Sequence, residues 1–333
     1  MNRWLRMGTL LALAGICLGG TYAWLISAVV AKEGTLYIKT GTSYELLVQQ
    51  METEGFLTEN KRFDLLAKVM RYHQRVKPGK YAIAQGMSVF GLVRKLRSGN
   101  AETVKVSFHN VRDLAVLAGR VAPQIEADSV EILTALENER LWLELDAKGP
   151  VFCHIVPNTY EFYWNTSGEA FVARMVKESR SFWTDDRMAQ AQAVGLTPCE
   201  VVNLAAIVQE EQGAILDEQP TIAGLYLNRL RIRMPLQADP TLKYAAGDFG
   251  LKRILNEHKE LESPYNTYKY NGLPPSPIVI PEMGAIEAVL RAEKHSHLYM
   301  CAKEDLSGRH YFTNSLDEHN RYARRYRRAI ERR

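Results

Sequence analysis

Residues 197–213 read TPCEVVNLAAIVQEEQG, and the fold of the chain turns on this stretch. Thr197 and Glu200 have the spacing of a capping box, in which each side chain bonds the other residue's backbone N–H. Pro198 occupies the first helical position, where its missing amide hydrogen is not needed. The spacing predicts a helix from Val201 to about Gln212, stopped by Gly213. At about 100° per residue, Val201, Leu204, Ile207 and Val208 form one apolar stripe. Glu211 projects into that stripe between Leu204 and Ile207, whereas Glu210 points with Asn203 to the other side. A carboxyl on an apolar stripe is desolvated, so its pKa rises and it suits a general acid working near neutral pH. Periodicity also allows a plainer outcome, in which the stripe ends and Glu211 sits in solvent in the last turn.

Downstream the chain becomes dense in side chains that bind polar, uncharged ligands. A second helix is expected from Thr221 to Leu230. Met234 to Thr241, Ser263 to Tyr268 and Gly272 to Ile278 then place Gln, Asp, Asn and Tyr between stiff prolines. Gln237, Asp239, Asn266 and Tyr268 are the candidate contacts to sugar rings and hydroxyls. Each has an equally good structural use, holding its loop by side chain to backbone bonds. Upstream, residues 35–100 read as a βααβα module. It has a strand at 36–38, helices at 44–54 and 60–70, a strand at 81–84 and a last helix capped by Ser88. Between the two parts, 103–108 alternates as a strand, and 113–122, 130–136 and 170–183 look helical. The aromatics of 157–162 are expected to line a site rather than fill a core.

Of the 333 residues, 24% are charged and 46% apolar, which excludes a disordered chain, a collagen-like fibre and a disulfide-dense mini-scaffold. The net charge of +4 is unevenly spread. Residues 321–333 hold seven Arg against one Glu, and taking these from the totals of 42 basic and 38 acidic residues leaves 35 and 37. A body so close to neutral has no broad phosphate-binding surface, so nucleic acid is not an expected partner. The tail itself reads as a helix from Asp317 with Tyr322, Tyr326 and Ile330 every fourth residue. It is either a solvated terminal helix or a contact to anionic headgroups.

Residues 7–31 carry no formal charge. At about 1.5 Å per residue they suffice to cross a hydrocarbon core of roughly 30 Å. Arg3 and Arg6 before them place the amino terminus in the cytoplasm by the positive-inside bias. The alternative is a cleaved signal peptide ending at Val29-Val30-Ala31. The expected localisation is therefore the cytoplasmic membrane, single-pass, with the bulk of the chain on its outer side. Cys153, Cys199 and Cys301 form no CxxC pair and read as three small buried hydrophobes. His295 and His297 share a strand face but lack a third ligand at a usable spacing, so neither a metal nor a cofactor is expected.

These segments together resemble the YceG-like endolytic murein transglycosylases, the MltG family. The resemblance is carried by Ala205 to Glu211, Asn228-Arg229-Leu230, Met234 to Thr241, Tyr265 to Tyr268, Leu273 to Ile278, His310-Tyr311-Phe312 and Glu318-His319-Asn320. It implies an α+β protein laid out as a cytoplasmic stub (1–6), a transmembrane helix (7–31), a small LysM-like module (32–100), a connecting region (101–150) and a mixed α+β catalytic domain with a basic C-terminal helix (151–333). It also implies a lyase that cuts peptidoglycan between MurNAc and GlcNAc within strands. Glu211 is then the catalytic acid and base, no cofactor is needed, and cell-wall synthesis proteins are expected partners. Two positions depart from the family pattern: Gln209 replaces an acid, and Asn158 replaces Asp. A muramidase that uses water, with Asp217, Glu218 or Asp239 as second carboxylate, and a non-catalytic peptidoglycan-binding scaffold are the alternatives.

Overall fold

The computed structural model describes residues 7, 9, 16, 19–25, 27–251 and 254–332. Most of the expected span at 7–31 lies outside these residues, and residues 19–25 are helical. Among the described residues no single helix is long and apolar enough to cross a membrane. The chain forms two compact units. The first gathers Met1–Val106 with Pro123–Ala127 and Tyr160–Ser167; the second holds Ser107–Ala122, Asp128–Thr159 and Gly168–Arg333.

The first unit is built on two strands, β1 (Gly34–Ile38) and β2 (Gly79–Ile83), paired antiparallel with Gly34 opposite Ile83. Helices Tyr44–Thr53 and Asn60–Val69 lie between them in sequence and Val89–Ser98 follows, so the βααβα order is the expected one. The period-2 alternation turns Leu36, Ile38, Tyr81 and Ile83 inward against Leu47, Met51, Phe63 and Leu92. Ser43 and Ser88 cap their helices by accepting from the amides of Leu46 and Gly91. The end of the uncharged stretch joins this core. Ala28 bridges Ser88, Val30 bridges Leu57, and Val29 and Val30 are 1% and 4% exposed. β3 (Thr103–Ser107) pairs with β4 (Thr159–Tyr163). Tyr160 and Phe162 of β4 face inward, so the aromatic run is an alternating strand, and its buried rings correct the expectation of a lining.

The second unit is assembled around the helix Pro198–Glu211. Its capping box forms as the sequence predicts. The amphipathic projection needs correction: Val201 to Val208 are all buried, Asn203 included. Such a helix is surrounded rather than one-sided. Helices Gln219–Arg231 and Met283–Leu290 pack on it. Asn203 tolerates burial because its amide donates to the Pro274 carbonyl at 2.6 Å. Helices Glu139–Glu144, Asp185–Val194, Asp239–Ala246 and Met283–Leu290 were not visible in the sequence pattern. The hairpin β5 (Tyr299–Ala302) and β6 (His310–Thr313) carries the terminal helix Leu316–Glu331, where Tyr322 stacks on Tyr311 at 4.4 Å.

The cysteine expectation is also corrected. Cys153 and Cys199, 46 residues apart, form a disulfide that ties the turn Val151–His154 to the start of the central helix. Cys301 is free and half-buried.

Candidate active site

The central helix ends in a cavity of about 430 Å³, and Glu211 is among the residues that line it. Eight buried positions precede Glu211 on the helix, so the rigid rod places the carboxyl rather than a loop. Its Oε1 accepts from the Tyr226 hydroxyl at 2.9 Å. Burial pushes the carboxyl up to about 7, the neighbouring Asp239 adds to the rise, and Tyr226, Arg229 and Lys243 oppose it. Tyr226 is 1% exposed, and burial beside Glu211 drives its phenol well above its ordinary range.

One wall is the helix Gln219–Arg231. Gly224 lets this helix close on the Glu293 carbonyl, a space that a Cβ would fill. Tyr226 and Arg229, three residues apart, share its cavity-facing side. Arg229 is fixed by donating from Nε to Leu298 at 2.7 Å and from Nη1 to Leu236 at 2.5 Å. Asn228 donates to the carbonyls of His295 and His297. His295 turns Nε2 to the Thr221 carbonyl while Nδ1 accepts from His297 N–H, which puts its proton on Nε2. These two histidines are structural ties.

Gln237, Asp239 and Tyr268 line the same cavity as Glu211. Gln237 stands in the left-handed region at φ 51, held by its N–H bond to the Thr267 carbonyl. Asp239 begins the helix Asp239–Ala246, where a carboxylate complements the dipole, and it accepts from the Tyr268 hydroxyl. Asn266 is placed elsewhere. It is fully buried, its amide donates to Lys259 and Leu261, and its oxygen accepts from the amides of Tyr268 and Lys269. It shapes the loop that presents Tyr268.

The opposite wall is formed by β5, His310 and the first turn of the terminal helix, with Leu316, His319 and Asn320. Glu218 receives His310 twice, from N–H at 3.0 Å and Nδ1 at 2.9 Å, and Gln212 at 3.0 Å. Burial pushes the Glu218 carboxyl up, but these bonds outweigh it and hold it below its usual range. Asp217 pairs with Arg309 at 2.9 Å. Of the three carboxylates considered as partners, only Asp239 lines the cavity with Glu211. Sequence reasoning missed Tyr226 and Arg229 as site residues; their i, i+3 spacing on one helix was the available signal. Gln209 accepts from the Glu282 amide at 2.7 Å and Glu210 pairs with Arg112 at 2.9 Å, so the two residues before the acid are held by other contacts.

An α+β scaffold that carries a half-buried, elevated carboxyl in a cleft with polar side chains defines a site for proton transfer. The chain belongs to the YceG-like family, whose model matches residues 36–325. It is 28% identical over 306 residues to the endolytic murein transglycosylase of Bacillus subtilis (strain 168), covering 87% of this chain and 83% of that protein. It is 26% identical over 332 residues to the endolytic murein transglycosylase of Streptococcus pneumoniae D39, covering 89% of this chain but only 59% of that longer protein. A crystal structure of a yceG-like protein from Listeria monocytogenes matches with a TM-score of 0.56 at 24% identity, over 87% of this chain and 98% of that one, and has the same fold.

Proposed function

We propose that this enzyme is an endolytic peptidoglycan transglycosylase in which Glu211 serves first as acid and then as base. What carries the proposal is the Glu211 carboxyl, raised to about 7 in a cavity it lines together with Tyr226, Arg229, Gln237, Asp239 and Tyr268. Protonated Glu211 donates to the glycosidic oxygen between MurNAc and GlcNAc as the oxocarbenium-like state develops. The carboxylate left behind takes the proton of the MurNAc C6 hydroxyl, and that oxygen closes on C1 to give a 1,6-anhydro end. No water enters, so no second carboxylate is required. Tyr226 orients the acid; Gln237, Asp239 and Tyr268 hold sugar hydroxyls, and Asn266 acts through Tyr268. Mass spectrometry of glycan products tests this: anhydro ends are expected, and reducing MurNAc ends alone would overturn it.

Asp239 supports a second reading, because a carboxylate in the same cavity is what a water-activating muramidase needs. Asp239→Asn separates the two. It weakens binding without changing product type in a transglycosylase, whereas it abolishes turnover in the hydrolase. On the non-catalytic scaffold alternative, Glu211→Gln has no cleavage to remove. We further propose that the uncharged stretch before Ser27 anchors the chain in the cytoplasmic membrane and that the first unit is LysM-like, binding glycan. Release of the chain by alkaline carbonate would contradict the anchor. Failure of the chain lacking residues 27–106 to lose glycan affinity would contradict the module's role.

A further inference from the structure

The first unit contains a second cavity, of about 370 Å³, whose lining includes Arg71, Tyr72, Arg75, Lys77, Arg94 and Arg97 and no acidic residue. None of the four arginines forms an ion pair among the described residues. Lys77 spends one donor on the Ser98 carbonyl at 2.9 Å. Basic residues commonly end helices to complement the dipole. One cation per helix suffices for that, whereas five around one cavity repel each other until an anion enters. A further observation points the same way. Arg71 is held in the left-handed region at φ 57, ψ 22, a conformation that glycine or asparagine adopts more cheaply. Strain retained at an arginine points to a use for its side chain.

The position of the cavity within its unit selects the ligand. Helices Asn60–Val69 and Val89–Ser98 both begin beside Ser27, through Arg62 Nη1 to Ser27 Oγ at 2.7 Å and Val89 N–H to the Ser27 carbonyl at 3.3 Å. Both end at the cavity. Ten residues at about 1.5 Å each put it roughly 15 Å from Ser27, beyond the screening length of about 8–10 Å at physiological salt. A bilayer met at Ser27 would therefore not present its headgroups there.

We propose that this cavity binds the carboxylates of an acidic peptide, namely the peptide branches borne by the glycan strands that the Glu211 cleft cuts. Arg forks match carboxylates in paired hydrogen bonds. The proposal rests on the murein reading for its ligand but not for its chemistry. Binding is measured with the full chain in detergent, carrying Glu211→Gln so that cleavage plays no part. The probes are peptide-bearing glycan strands, the same strands stripped of peptide, hexaglutamate, inorganic pyrophosphate and anionic phospholipid vesicles. Arg94→Glu with Arg97→Glu is expected to lose at least tenfold affinity for peptide-bearing strands and hexaglutamate. Stripped strands and the melting temperature are expected to be unaffected, and Arg71→Gly to lose affinity severalfold. Equal loss on stripped strands, or pyrophosphate or vesicle binding that depends on these arginines while hexaglutamate binding does not, would overturn the proposal. Hexaglutamate binding by the Glu211→Gln chain, together with no murein product from the chain that keeps Glu211, would sink the function and leave the anion site standing.

Discussion

Glu211 and Tyr226 form a pair whose energetics have opposite signs for activity and stability. The unfolded carboxyl titrates near its ordinary value of 4.5 and the folded one at about 7, so the folded state holds the proton more tightly. That advantage is complete below pH 4.5 and is lost as pH rises through 7. The loss approaches about 3 kcal/mol at 1.36 kcal/mol per unit. Glu211→Gln, which cannot ionise, is therefore expected to abolish cleavage and yet to melt higher than the natural chain at pH 8, with no such gap at pH 4. Equal melting at both pH values would show that the carboxyl is not desolvated. The Tyr226 bond favours the ionised acid. Tyr226→Phe should thus shift the alkaline limb of the rate profile to higher pH while lowering kcat; a limb moving to lower pH would contradict the hydrogen bond. Val201 to Val208 are buried all round rather than as a stripe, so Glu211 was legible in the sequence only as the carboxyl that ends a long apolar helix. Tyr226 was not, since its meaning depends on how two helices cross, and Asn266 looked like a ligand-binding residue because burial leaves no mark on a polar loop.

Among the elements, the helix Pro198–Glu211 acts as a rod fixed at its far end by the Cys153–Cys199 bond. A closed loop of this size restrains the unfolded chain by about 3–4 kcal/mol in the loop-entropy account. Replacing both cysteines with serine should lower the melting temperature accordingly and leave kcat at low temperature nearly unchanged; an unchanged melting temperature would refute it. Gly224 is a second control point. A methyl there meets the Glu293 backbone, which cannot swing away as a side chain would. Gly224→Ala is expected to cost about 1–3 kcal/mol and to lower turnover by displacing Tyr226 and Arg229. The capping box and the βααβα order were readable because they are local. The disulfide was not, because nothing local brings residues 153 and 199 together. The helix at 283–290 escaped notice because eight residues beside a proline-rich loop give too short a repeat to recognise.

For the whole molecule, the two units divide the chemistry. The second carries the carboxyl, while the first carries five cations around a cavity and no acid. The sequence placed the Arg-rich tail at the centre of its charge asymmetry. Yet that helix stacks Tyr322 on Tyr311 and pairs Arg325 with Glu304. The unbalanced cavity in the first unit went unnoticed because its residues come from two segments more than fifteen residues apart.

Val29 and Val30 decide where the chain can be cut. A soluble version begun at Lys32, where hydropathy first changes, would remove two core side chains. It would also remove the Ala31 N–H bond to Phe56 at 2.8 Å and the Val29 carbonyl that Thr58 N–H needs at 3.0 Å. At about 1.5–3 kcal/mol per buried valine, most of a small unit's stability would go with them. Beginning at Ser27 should yield a first unit that melts cooperatively, and beginning at Lys32 one that does not. Identical melting of the two would show that these valines are ornamental. Laboratories preparing the enzyme for crystals or assays would then be dissecting inside a folded core if they trusted the hydropathy boundary.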